Sequence, residues 1–378
     1  MEKAKRNMGI EILRIIAMFQ IVFSHILTQG GIINNAVVFS SQYYASWTLM
    51  ILGYSAVNTF ALISGFVGVE QSFKGYSKII MLWLNVLFYT VLTTLCFSIF
   101  TEGKVGLTEW VKAFTPASTG QYWFFSSYFI LFFLMPFFNK LLNSLDGKKR
   151  LILSIILVLL FSVLPTIRQT DAFVLNSGYS PLWLMVMYLI GGCVKKANLL
   201  RKIKLKWWII ILLLSIVLCV ASKFGLEYFF YKLSGEVKGG GIFVSYISPL
   251  VILVAISSLA IFERINIKGK FFAKFIRLIS GSAFSVYIIH EHPLTKHQFL
   301  IDAFLPYLEL SAGLLVLRVL GAAIVIFASC ILIDLIRVAL FKLIKINKFA
   351  NAVDSFAQKS VGKLCDSLNK KIEGQDNF

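Results

Sequence analysis

Charge is what this chain has least of. Only 15 % of its 378 residues are Asp, Glu, Lys or Arg, and the acidic share is the smaller, 18 against 37 basic. With 58 % apolar residues and a mean hydropathy of +0.80, too little polar surface is left to clothe a fold of this length in water, which excludes a soluble globular domain. Cysteine supplies no framework: Cys96, Cys193, Cys219, Cys330 and Cys365 are odd in number, lack CxxC or CxxH spacing, and four of them lie within apolar runs. Neither a disulfide scaffold nor a zinc site is expected. No internal repeat, low-complexity tract or separate soluble domain is visible. The basic, apolar N-terminus is interrupted by Glu11 and Arg14 and has no small-residue cleavage site, so it reads as a retained first span.

What the chain does have is long apolar runs. Crossing about 30 Å of hydrocarbon takes roughly 20 mostly apolar residues, and runs at 9–28, 47–69, 77–100, 122–139, 150–166, 181–194, 206–222, 243–262, 271–291 and 312–341 qualify, the fourth and sixth being short. The expected fold is all-α, a polytopic membrane bundle of about ten transmembrane helices over 1–344, with a tail over 345–378. One alternate set of connecting segments holds 28 Lys and Arg and the other 7, which places both termini in the cytoplasm. The net charge of +19 is therefore topogenic; membrane lipids are expected as partners and nucleic acid is not. In the tail, Ile346, Phe349, Val353, Phe356, Ser360, Leu364 and Leu368 recur at spacings of three and four. They describe an amphipathic helix on the inner leaflet, or a segment polar enough to stay solvated.

An ionisable group within a span costs about 2.5 kcal/mol or more and calls for a reason. Arg14 and His25, eleven residues apart, fall within roughly 20° of one helix face and about 16 Å along its axis. Glu11, three residues before Arg14, is placed to pair with it. The ninth run ends in SGSAFSVYIIHEHPL, which brings His290, Glu291 and His292 to the outer side. His292 and His297 read as interfacial, whereas His290 follows four apolar or aromatic residues. Arg318 opens the last span from that side and has Glu309 as a candidate partner; Asp334 and Arg337 are spaced for an intrahelical pair. Ser64 and Gly65 suggest close helix packing. Tyr122 and Trp123 suggest an outer aromatic belt, and Pro136 a kink.

The run IEILRIIAMFQIVFSH resembles the first span of the membrane-bound acyltransferase-3 family, whose signature is an Arg and a His separated by ten residues, met here by Arg14 and His25. LISGF at 62–66, KIIMLWLNVLFYTVL at 78–92, YWFFSSYFILFFLMPFFNKL at 122–141 and SAFSVYIIHEHPL at 282–294 extend the resemblance in order. It implies a bacterial cytoplasmic-membrane O-acyltransferase, using acetyl-CoA from the cytoplasm as co-substrate and, as acceptor, a hydroxyl of an extracytoplasmic saccharide or lipid-linked saccharide. No metal is implied. On this reading His25 is the catalytic base or a covalent relay, with Arg14, His290 and Glu291 assisting. Arg14, Lys74 and Lys78 are candidates for the donor, and Tyr122, Trp123 and Arg318 for the acceptor. Lys74 and Lys78 stand where many members carry arginines, and His292 where asparagine is frequent. No further soluble domain is expected after residue 345. A transporter of polysaccharide or lipid-linked sugar is the rival reading, but the inverted halves with broken helices that would mark it are not visible. The sequence does not specify the oligomeric state.

Overall fold

A computed structural model describes residues 6–101, 103 and 105–375. Lys3 and Lys5 of the basic flank, and the side chain of Leu368, lie outside the described residues. Among these there is helix and no strand, as a lipid-embedded backbone requires when it must satisfy its own hydrogen bonds. The principal helices are α1 (Met8–Thr28), α2 (Ser41–Gly53), α3 (Ser55–Gly68), α4 (Ser77–Phe100), α5 (Trp123–Ser144), α6 (Gly147–Val158), α7 (Pro181–Lys196), α8 (Leu205–Ser234), α9 (Pro249–Glu263), α10 (Lys270–His290), α11 (Ala312–Leu343) and α12 (Ile346–Gln375).

Each apolar run contributes helix, the run at 243–262 only from Pro249 onward, and among the described residues eight helical stretches are long and apolar enough to cross a membrane. The other two runs form α7 and α9, of 16 and 15 residues, or about 24 and 22 Å at 1.5 Å per residue. Their interior positions explain how such short helices are accommodated. Trp183, Leu184, Met187 and Tyr188 of α7 and Ala255, Leu259 and Ala260 of α9 are fully buried, so these helices meet mainly protein. The second run is broken at Tyr54 into α2 and α3. The fifth carries a π-helical turn, Leu159–Val163, just ahead of Pro165, whose missing N–H and ring disturb the regular ladder. Pro136 sits inside α5.

Glycine sets the closest approaches. A Cβ on Gly65 of α3 would lie 1.9 Å from the Tyr188 carbonyl oxygen of α7, and one on Gly191 of α7 would lie 2.2 Å from that of Leu62 of α3. The packing role expected for Ser64–Gly65 thus falls to Gly65. Helix α1 is clasped similarly: a Cβ on Gly9 would meet the Phe262 carbonyl at the end of α9. Asn7 caps Gly9 and Ile10 and donates to the Glu263 carbonyl at 2.7 Å. This central placement, with α10 and α11 on its flank, carries Arg14 and His25 into the bundle.

Polar groups are satisfied in pairs. Arg337 donates to both oxygens of Asp334, at 2.7 and 3.1 Å, and Tyr89 of α4 donates to the same carboxylate at 2.8 Å. Asn85 donates to Ser285 at 2.9 Å, tying α4 to α10. Elsewhere the bundle exposes large apolar side chains such as Leu213, Val217, Val325 and Ile336, a surface suited to lipid. Helix α12 packs beside the start of α4, where its Asp354 accepts from the Tyr76 N–H at 2.8 Å. Gly75 in the intervening turn has φ +94, a left-handed conformation natural to glycine, and a Cβ there would lie 2.6 Å from the Asp354 carboxylate.

Candidate active site

Packing of α1 against α10 brings His25 onto the HEH segment. His25 Nδ1 lies 2.9 Å from His290 Nε2 and 2.9 Å from Glu291 Oε2. The far nitrogen of His290 is 2.5 Å from the Val286 carbonyl oxygen. A carbonyl only accepts, so His290 Nδ1 carries the hydrogen and, in the neutral ring, Nε2 is an acceptor. His25 Nδ1 is then the donor, its hydrogen facing His290 and Glu291 together, and neutral His25 keeps its lone pair on Nε2. Glu291 is held in turn by Lys296 Nζ at 2.7 Å and by Gln29 Nε2 at 3.0 and 3.1 Å. The carboxylate orients the imidazole, as in the serine–histidine–aspartate arrangement.

His25, His290 and Glu291 each offer an atom suited to a metal ion, all within 4.8 Å of one another. These atoms are already hydrogen-bonded to one another, however, and Lys296 sets a positive charge against Glu291, so the donor set fits a proton-handling triad better than a cation site.

His25 lines a cavity within the bundle. One wall is aromatic: ring centroids of Trp123 and Tyr179 lie 4.8 Å apart, those of Tyr179 and Tyr246 4.8 Å, and those of Tyr246 and Tyr54 5.6 Å. Asn58, which accepts from Trp183 Nε1 at 2.8 Å, fixes this wall by donating to the Tyr246 carbonyl at 2.7 Å. A second cavity holds Arg14, Ser64 and Lys78. A third holds Lys74 and shares Lys78 and Phe132 with the second.

The first two cavities meet at Phe60, Phe124 and Phe284, which line both. On each contributing helix the order agrees. Val57 and Ser64 lie on opposite sides of Phe60 on α3, Trp123 and Tyr128 on opposite sides of Phe124 on α5, and Tyr287 and Ser280 on opposite sides of Phe284 on α10. The Phe60 and Phe124 rings touch edge to face at 6.2 Å.

The candidates from the sequence divide accordingly. His25, His290 and Glu291 converge; Arg14, paired with Glu11 at 2.7 Å, opens onto the middle cavity with Lys78; Trp123 lines the His25 cavity. Tyr122 does not line it: it is fully buried and donates to the Ile288 carbonyl at 3.1 Å. Arg318 is exposed on α11, lines none of the three cavities, and makes no ion pair with Glu309 among the described salt bridges. His292, read from the sequence as interfacial, is enclosed by protein. It is 3 % exposed and accepts from the Leu294 N–H at 3.2 Å as an N-cap, and burial pushes its imidazole down to about 4. His297 is exposed, as expected. The sequence reading missed Gln29, one turn beyond His25, and Lys296, five residues past Glu291. It also missed Tyr179 and Tyr246, which no motif marks.

Fold and site together define a multi-pass helical membrane protein with a histidine–carboxylate centre enclosed in its bundle. The chain belongs to the acyltransferase-3 family, whose model, described as an acyltransferase domain, matches residues 7–337. It is a membrane acyltransferase. No curated protein and no solved structure matches it.

Proposed function

We propose that this acyltransferase moves an acetyl group from cytoplasmic acetyl-CoA to a hydroxyl of a saccharide on the far side of a bacterial cytoplasmic membrane. The observation that carries the reading is the line of three cavities, with Lys74, Lys78 and Arg14 toward one end and His25 at the other. CoA is an anion with a long, thin arm. Lys74 and Lys78 offer point charges to its phosphates, and the stretch of about 16 Å from Arg14 to His25 suits the arm. The Trp123–Tyr179–Tyr246 wall suits the C–H faces of a sugar ring, leaving its hydroxyls for His25.

His25 Nε2 takes the proton of the acceptor hydroxyl as its oxygen attacks the thioester carbonyl. The C–S bond then breaks, and the CoA sulfur leaves with the proton from the imidazolium. Glu291 stabilises that imidazolium and holds its orientation. Direct transfer suffices for this balance. Release of CoA from acetyl-CoA by purified protein, together with mass spectrometry of surface glycans with and without the chain, tests the reading. An acetyl-sized mass missing from the glycans without the protein is the expected result; intact acetyl-CoA and unchanged glycans sink it.

A further inference from the structure

Two buried hydroxyls in the His25 cavity complete no hydrogen bond among the described residues. Tyr287 Oη and Ser24 Oγ lack a hydrogen-bond partner among the described residues, although Tyr287 is 5 % and Ser24 8 % exposed. A buried polar group left unpaired costs about 1–3 kcal/mol, and folded chains retain few of them. The two differ in what else they can do. A helical serine always has the carbonyl four residues back within reach, as Thr28 and Ser64 show by bonding to Ser24 and Phe60. A tyrosine hydroxyl stands at the end of a long ring and has no such local partner.

The Tyr287 ring is also fixed in place. Tyr122 lies 5.8 Å away, Phe284 6.2 Å and His290 6.4 Å between ring centroids. The backbone N–H of Phe124 lies near its oxygen without completing a hydrogen bond; being a donor, it leaves the hydroxyl hydrogen uncommitted. Tyr287 sits one helical turn before His290 and Glu291, on the same cavity as His25. A rigid, unspent donor beside a base is what acyl transfer needs for the oxygen on which negative charge gathers.

We propose that Tyr287 is a catalytic residue that donates its hydroxyl hydrogen bond to the thioester carbonyl oxygen. This rests on the acyl-transfer reading of the cavity. As the acceptor oxygen bonds to the carbonyl carbon and His25 takes its proton, the carbonyl oxygen becomes an oxyanion, hydrogen-bonded by Tyr287, which keeps its own proton. Collapse re-forms the C=O bond and expels the CoA sulfur, which receives the proton from His25.

The test uses the full-length protein in proteoliposomes, with acetyl-CoA as donor and methyl glucoside as acceptor, reading CoA release. Tyr287→Phe is expected to lower kcat about 100-fold, to leave KM for acetyl-CoA and the shape of the pH profile unchanged, and to leave the melting temperature equal to or above that of the parent, because an unpaired hydroxyl has been removed. A near-normal kcat, or a melting temperature that falls with the activity, overturns the proposal. A second measurement needs no variant: a ketone analogue of acetyl-CoA, with CH2 replacing sulfur and carbon-13 in the carbonyl, should show a lowered infrared C=O frequency when bound to the parent protein, and an unshifted band overturns the proposal. If the parent protein releases no CoA and does not bind the analogue, the acyl-transfer reading itself has failed.

Discussion

His25 Nδ1 and Glu291 Oε2 meet at 2.9 Å, one group on the first span and the other on the residue that caps the C-terminus of α10. The contact fixes which imidazole nitrogen keeps a lone pair. His25→Ala should therefore lower acyl transfer at least about 100-fold, the lower range for a general base, with membrane insertion intact. Glu291→Gln keeps the shape but removes the negative charge that stabilises the His25 imidazolium, and a loss of about 10- to 100-fold is expected. Rates are compared at equal amounts of protein that elutes as a single species in detergent gel filtration. Near-normal transfer by the His25 variant beside a dead His290→Ala variant would assign the base to the wrong helix.

Arg14 opens onto the middle cavity while Glu11 holds it at 2.7 Å. Arg14→Lys keeps the charge and loses the planar fork. The expected outcome is a raised KM for acetyl-CoA with kcat less affected, read from initial-rate kinetics. Donor kinetics identical to the parent in well-folded protein would remove Arg14 from the donor path.

His292 gives a pH prediction for stability. The unfolded imidazole titrates near 6.5, whereas the buried one is pushed down to about 4. As pH falls between these values the unfolded chain takes up the proton first, so His292 weakens the fold over that window and its contribution is restored as pH rises. His292→Asn retains a capping side chain without the titration. The variant should melt like the parent at pH 7 and above it at pH 5; equal melting at both values would refute the assignment.

The orientation rests on the uneven spread of basic residues. Cysteines placed at Ser118 and Ser234, both exposed, should react with an impermeant thiol reagent applied outside intact cells, whereas native Cys365 should not. Labelling of Cys365 from outside would invert the topology.

The sequence carried those parts of the structure that depend on near neighbours. Asp334 and Arg337 are three residues apart and pair as that spacing requires; Gly65 lies where a small residue suggests helix contact and indeed admits Tyr188. The apolar runs become helices because lipid leaves the backbone no other option. What the sequence did not carry depends on contacts between distant segments. Tyr179 and Tyr246 come from separate connections and acquire meaning only once both stand beside Trp123. Tyr122 and Trp123 are adjacent, yet one is turned into the core and the other into the cavity, a difference that the aromatic pattern alone does not encode. Arg318 has the composition of a site residue and an exposed position, while His292 has that of a surface residue and a buried one.

The phenylalanine layer has an electrical consequence. Water in the cavities on either side would confine most of the membrane voltage to the thickness of Phe60, Phe124 and Phe284. Each elementary charge carried through that field involves about 2.3 kcal/mol per 100 mV. On the proposed reading the transferred acetyl group is neutral, and the CoA phosphates would meet Lys74 and Lys78 before the layer. Passage of the acyl group by that route would therefore draw nothing from the membrane potential.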